Sequence, residues 1–336
     1  MKRAHNAGRR DFLTRSLPAA ALLCSCRGSG SLPLQSPAAP ASRSKVVVAR
    51  DPELRGRQST PNTNRLQALL DRAIAALAGV GEPVEAWKRI VRPSEQVTLK
   101  VNTLGGRGIA TSPLLVEALC ERLQQAGVRA GDIVVWDRDT AEMERAGFRI
   151  VTGGSGVQCY GTDRVGYEEE LSAWGAVGSL LSKILTRRTS LLINLPVLKD
   201  HDGAGVTLAL KNMYGAIHNP NKYHPNGCDP YVADLNMLPE IRSRMRLVVC
   251  DATTAMYDGG PAFKPERSWQ ANALLVSQDP VALDTTGWRT IERKRAEKGL
   301  KTLEAEQRPP RYIATAADSE HRLGNNDPAR IDVVEV

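Results

Sequence analysis

With 336 residues, 42% of them apolar, the chain is long enough to bury a sizeable core as one or two domains. Only 4% of the residues are aromatic, which argues against a nucleic-acid reader built on stacking platforms, so no nucleic-acid partner is expected. The net charge of +8 is unevenly placed: Lys2, Arg3, Arg9, Arg10 and Arg15 against Asp11 supply half of it within residues 1–26, and the remainder is ordinary.

In chain order, the first readable segment is GRRDFLTRSLPAAALLCSCRG. Arg9-Arg10 precede Asp11, Phe12 and Leu13, and a short run of small, weakly apolar residues follows. This resembles a twin-arginine export signal, and the run is too short to span a bilayer as a helix. Leu23-Cys24-Ser25-Cys26 also resembles a lipobox with Cys26 as the acylated residue, although a cysteine at the second position is unusual there. The expected organisation is a signal at 1–26, a Ser/Pro/Ala-rich tether at 27–44 and a single α/β domain at 45–336. The resemblance implies the twin-arginine export machinery as a partner and a periplasmic destination. An acylated Cys26 would add attachment to the membrane. That route carries proteins already folded, often with a cofactor inserted, which raises the expectation of a metal ion or redox group.

After the tether, apolar β-rich runs alternate with helical patterns. The predicted strands are 45–49, 97–101, 133–136, 191–197, 247–250 and 273–276, with helices at 63–78 and 112–126 and another running from Asp279 to about Lys298. The alternation predicts an α/β fold with a largely parallel, layered sheet and helices on its faces. Asp279 reads as the N-cap of the last helix. The charge-rich stretch 292–307 reads as an exposed helix.

Four predicted strands end in polar residues: Asn102, Asp137, Lys199 and Asp251. In open α/β sheets the ligand crevice lies beyond the carboxyl ends of the strands, so these four outline a polar crevice. Gly105-Gly106-Arg107-Gly108 follows Asn102 and precedes a helix start at Thr111-Ser112-Pro113. It admits two readings, an ordinary turn or a set of backbone amides that holds a carboxylate or phosphate. Neither a dinucleotide fingerprint nor a Walker loop fits its spacing.

Four cysteines lie beyond the signal: Cys120, Cys159, Cys228 and Cys250. None forms a C-x-x-C pair, so no iron–sulfur motif is present. Cys120 and Cys250 sit in apolar contexts typical of core residues. Cys159 and Cys228 lie in loop-like sequence, and an oxidising compartment permits a disulfide between them.

The most informative stretch is 191–224, LLINLPVLKDHDGAGVTLALKNMYGAIHNPNKYH. An apolar run breaks at Pro196 and ends in Lys199-Asp200-His201. A glycine-rich hinge at Asp202, Gly203 and Gly205 follows, and apolar residues then resume at helical spacing. In that register Thr207, Lys211, Tyr214 and His218 share one stripe, so polar groups on an apolar segment must be solvated, paired or placed in a site. His201, His218 and His224 fall within 24 residues, which suits either a metal site or a solvated loop; H-x5-H-x3-C is no standard zinc pattern.

NLPVLKDHDGAGVTLALKNMYG resembles the core signature of the domain of unknown function 362 family. Flanking segments from Val97 (VTLKVNTLGGRGIATSPLLVEAL) and Ala273 (ALLVSQDPVALDTTG) extend the resemblance from about Lys45 to Ile291. Some relatives carry ferredoxin-like cysteine modules; this chain has none. The resemblance places Lys199, His201, Thr207, Lys211 and Asn212 in the signature without assigning them a reaction. We expect Lys199, Lys211, His201 and Asp251 as catalytic groups. Asn102, Thr207, Asn212, Gly105 and Gly106 are the expected ligand- or cofactor-holding groups, and His201, His218 and His224 the metal ligands. Two classes of function fit: a redox-type enzyme with a bound metal or cofactor, or a non-catalytic binding lipoprotein for an anionic small molecule. An assembly factor for envelope redox proteins is a third.

Overall fold

Strands buried on both faces, with alternate residues entering opposite cores, organise the molecule. The computed structural model describes residues 43–336, which belong to one compact unit. The export signal expected at 1–26 and the tether up to residue 42 lie outside the described residues. Ser44, placed at the tether's end, already opens the first strand.

The strands are β1 (Ser44–Arg50), β2 (Val97–Lys100), β3 (Ile133–Trp136), β4 (Gln158–Cys159), β5 (Ser172–Trp174), β6 (Val177–Ser179), β7 (Leu191–Asn194), β8 (Val197–His201), β9 (Gly205–Thr207), β10 (Met245–Met256), β11 (Ser268–Trp269), β12 (Ala273–Ser277) and β13 (Ile331–Glu335). All but β5 and β6, which form a separate hairpin, join an 11-stranded sheet whose main path runs β13-β1-β12-β10-β7-β2-β3-β4. From β10 through β4 every pairing on this path is parallel, whereas β12 runs antiparallel to both β1 and β10. The largely parallel α/β layering expected from the alternation is what the chain adopts.

Each strand divides its residues between two cores. In β1, Val46 and Val48 enter one and Val47 and Ala49 the other. The second core is covered by the helices Thr63–Ala78, Pro83–Ile90 and Pro113–Gln125, which supply Leu66, Leu70, Trp87, Leu115 and Leu119. The first core is covered by Tyr231–Met237, Pro280–Glu297 and Tyr312–Ala317. Asp279 caps the helix Pro280–Glu297 by accepting from the Ala282 N–H at 2.9 Å.

Three expectations need correction, and one possibility left open is decided. The strand at 191–197 is two strands, because Pro196 has no N–H to continue a ladder; its carbonyl instead accepts from Asp251 N at 2.8 Å. The segment after the glycine hinge is not one helix. Gly205, at φ 78°, opens β9 of a hairpin with β8, and a Cβ there would lie 2.6 Å from the Arg308 carbonyl oxygen. The α-helix proper is only Ala209–Asn212, its first amides donating to the buried Asp284 carboxylate at 2.7 and 3.0 Å, and a 3-10 turn follows at Met213–Ala216. The exposed helix expected at 292–307 ends at Glu297, and Arg295 within it is fully buried, paired with Asp258 and Glu306. Cys159 and Cys228 are both free and buried, and no disulfide joins them.

Candidate functional site

The parallel register creates the site. Lys100 of β2 stands beside Trp136 of β3 and Asn194 of β7, so the last residues of three adjacent strands form one row. Beyond that row, at the carboxyl ends of the strands, lies a cavity of about 330 Å³. This volume is at the low end for ligand pockets and suits a metabolite rather than a polymer. Along β8 the side chains alternate. Lys199 and His201 line the cavity, while Asp200 points to the opposite side, where it pairs with Arg308 at 3.1 Å and accepts from Gly260 N at 2.8 Å. The alternation of the strand thus accounts for the Lys-Asp-His order. Thr207 of β9 is the direct cross-strand neighbour of Lys199 and also lines the cavity.

Three lysines reach this cavity, and their partners differ. Lys100 Nζ donates to Asp137 Oδ1 at 2.7 Å and to the Val101 carbonyl at 2.7 Å. The second oxygen of Asp137 accepts from the backbone N–H and hydroxyl of Thr103, at 2.9 and 2.8 Å. Gly215 packs directly on this pair: a Cβ there would lie 2.6 Å from Lys100 Nζ and 2.7 Å from Asp137 Oδ1. Lys211 has no carboxylate partner among the described residues. Its ammonium lies 4.2 Å from the centroid of the Tyr214 ring and 3.3 Å from His224 Nε2. His224 Nδ1 is 3.1 Å from the Pro220 carbonyl, which can only accept. The proton therefore resides on Nδ1, and Nε2 is free to accept from Lys211.

Lys199 is fully buried and also lacks an ion-pair partner among the described residues. Its hydrogen bond runs to Asn102 Oδ1 at 2.9 Å. Burial, reinforced by the Lys211 charge against a pull from Asp137 and Asp200, brings its pKa down from 10.5 to about 8. Burial also lowers Lys211, with Cys228 and Asp202 opposing that shift. His201, desolvated and surrounded by Lys211, His224 and Lys199, is held neutral, its pKa pulled down to about 2. Its Nδ1 accepts from Gly203 N at 3.1 Å, which leaves the proton on Nε2.

A relay of amides fixes the aim of Lys199. Asn102 Nδ2 donates to Asn212 Oδ1 at 3.0 Å, Asn212 Nδ2 to Asn194 Oδ1 at 2.7 Å, and Asn194 Nδ2 to the Ala209 carbonyl at 2.8 Å. The far end is a backbone oxygen that can only accept, so each amide in turn must present its oxygen toward Lys199. Thr207 lines the cavity, and its buried hydroxyl has no hydrogen-bond partner among the described residues. A buried hydroxyl left without a hydrogen bond is a costly exception in a folded protein.

The structure therefore brings together Lys199, His201, Thr207, Lys211, Asn212, Asn102 and His224 on one cavity. Gly105 closes on it from behind: a Cβ there would lie 3.2 Å from Lys199 Nζ and 2.2 Å from Ile109, so only glycine allows this approach. Gly106, at φ 71°, donates its N–H to the Thr103 carbonyl at 2.9 Å, the bond of an ordinary turn. Two expected residues lie elsewhere. Asp251 is buried away from the lining, accepting from Ser112 N and Thr253 N at 2.8 Å each, where it satisfies the start of the helix Pro113–Gln125. His218 is exposed, with Nδ1 3.1 Å from Ser179 Oγ and 3.2 Å from Leu180 N.

The expected metal set does not assemble. His201 and His224 stack with ring centroids 5.8 Å apart, and the free lone pair of His224 faces the Lys211 ammonium. Among the described residues no group of three or more His, Cys, Asp or Glu side chains converges to hold a metal ion. Lys100, Asn194 and Gly215 were not picked out as site residues in the sequence. Their signal was a lysine closing an apolar strand, an asparagine before a proline and a glycine after Tyr214.

A solved structure from Thermotoga maritima resembles this chain with a TM-score of 0.44 at 11% identity, over 69% of this chain and 59% of that one. The chain thus spans well under two thirds of that structure's length. No curated protein matches the sequence. The family described as Domain of unknown function (DUF362) matches residues 97–289, which span β2 through most of the helix Pro280–Glu297 and include every lysine, histidine and asparagine of the cavity. With more than half of its length matched, the chain belongs to the DUF362 family.

Proposed function

We propose that the cavity takes a small anionic molecule, its negative group held against Lys211, and that Lys199 is the amine that acts on it. The observation that carries this reading is the pair of buried lysines without a carboxylate partner among the described residues, beside a buried hydroxyl without a hydrogen bond. Burying an unpaired ammonium costs several kcal/mol, roughly, unless an anion joins it or the proton leaves. The two lysines fit these two outcomes separately. The ring face of Tyr214 and the His224 lone pair favour a charged Lys211, whereas Lys199 has one neutral amide oxygen for company. A resident metal is not part of this reading, because the histidines do not converge.

The test is ligand-dependent thermal stability with inorganic phosphate, acetate, pyruvate and succinate. An anion that binds the folded state alone adds about 2.7 kcal/mol at one hundred times its dissociation constant. We expect at least one of these anions to raise the melting temperature of the wild type, with the rise lost in Lys211→Met. Folded wild-type protein that responds to none of the four would overturn the proposal.

A further inference from the structure

We propose that Lys199 forms a covalent imine with a small 2-oxo acid, whose carboxylate rests on Lys211 while its keto carbon meets the Lys199 nitrogen. The inference rests on the anion-binding reading above and narrows it to a substrate class. A cation and an amine share one cavity, and a 2-oxo acid carries an anion and an electrophilic carbon side by side.

Nucleophilic amine chemistry needs a lysine that is desolvated, lacks a carboxylate and lies near another cation, which is the setting of Lys199. It also needs the nitrogen lone pair to point at the substrate. The amide relay supplies this, because Asn102 Oδ1 can only accept and so takes an N–H from Lys199. The second N–H and the lone pair of the neutral amine are thereby directed away from Asn102. Gly105 packs closely on the nitrogen, where a Cβ would lie 3.2 Å from it, and Lys199 is one of the residues that line the cavity.

The step balances with the groups present. The Lys199 nitrogen attacks the keto carbon, a C–N bond forms, and the carbonyl π pair moves to oxygen, which takes up a proton. Thr207 and His201 line the cavity, and we assign the Thr207 hydroxyl, which has no partner among the described residues, and the His201 Nε2–H as hydrogen-bond donors to that oxygen. Lys199 gives one proton to solvent before the attack; the proton taken up by the oxygen comes from the attacking nitrogen, a further proton from solvent lets that oxygen leave as water, and a positively charged C=N bond remains. No oxidant, reductant or metal enters. The iminium then withdraws electrons from the neighbouring carbon, which places the reaction class at that carbon.

The experiment is reductive trapping. Full-length protein is incubated with pyruvate and sodium cyanoborohydride, and the modified peptide is mapped by mass spectrometry. We expect one dominant reduced pyruvyl adduct, on Lys199, which is absent without pyruvate and suppressed by excess inorganic phosphate. Lys211→Met is expected to lose trapping by pyruvate at low concentration. Thr207→Val is expected to slow adduct formation on Lys199. Adducts confined to surface lysines, or no adduct in wild-type protein that pyruvate stabilises, would overturn the imine and leave the anion site standing. No adduct and no stabilisation by any anion would remove both. Mapping on the wild type keeps the test decisive even if Lys199→Met fails to fold.

Discussion

The two faces of β2, β3 and β7 differ although the same few residues make both. Toward one core they present Val97, Leu99, Ile133, Val135, Leu191 and Ile193, all hydrocarbon. One residue along, the same strands present Thr98, Lys100, Val134, Trp136, Leu192 and Asn194, so charge and amide groups are interleaved with apolar ones. The first face holds the sheet to its helices. The second carries the proposed chemistry, at the expense of burying groups that must be partnered. Stability and function are separated here by the pleat of a strand rather than by distance along the chain.

Three perturbations sharpen that contrast. The largest effect is expected from Asp137→Ala, which strands the buried Lys100 ammonium and removes the acceptor of Thr103. Breaking a buried pair from one side costs about 4 kcal/mol, and urea unfolding should show a loss of that size. Next comes Leu99→Ala on the apolar face, expected to cost about 3 kcal/mol by the same measurement, with the anion-induced thermal shift unchanged. A change in anion binding after Leu99→Ala would show that the two faces are coupled.

The third perturbation is pH. The folded pKa of Lys199, about 8, lies below the unfolded value of 10.5. Between those limits the unfolded chain binds the extra proton, so this residue makes stability rise with pH across that window, by at most about 3 kcal/mol. Lys199→Met should remove the rise. The comparison is the difference between wild type and variant in unfolding free energy measured from pH 7 to pH 10.5. A flat difference would mean that Lys199 keeps its ordinary pKa.

Much of the frame was legible in the sequence, because strands buried on both sides read as continuous apolar runs and long helices as amphipathic ones. The helix Thr63–Ala78 and the strand Ile133–Trp136 fall where their patterns put them. The site was legible as a collection of residue types, less so as geometry. Thr207 and Lys211 share the cavity as their helical spacing suggested, yet they arrive there from a strand and a single helical turn. His218, on the same imagined stripe, falls outside because the backbone turns extended at Ile217. Asp251 looked like a crevice acid, since a strand-end carboxylate reads alike whether it faces a cavity or an amide. Its partner, the start of a helix far earlier in the chain, is a tertiary fact. Lys100 escaped notice for the converse reason. Its carboxylate comes from the neighbouring strand, and only the register of β2 on β3 brings them together.

The asparagine relay has a bearing on chemical ageing. Each of Asn102, Asn194 and Asn212 both gives and receives a hydrogen bond in a fixed direction. Deamidation would convert one of them to a carboxylate, which can receive but not give. At Asn212 that change would set two oxygens against each other where Asn194 now receives an N–H. At Asn102 it would put a negatively charged oxygen beside the Lys199 nitrogen, restore its proton and silence it as a nucleophile. Slow hydrolysis of a single side chain would thus switch off the amine without moving the backbone, and loss of trapping by pyruvate and cyanoborohydride in aged protein would register it.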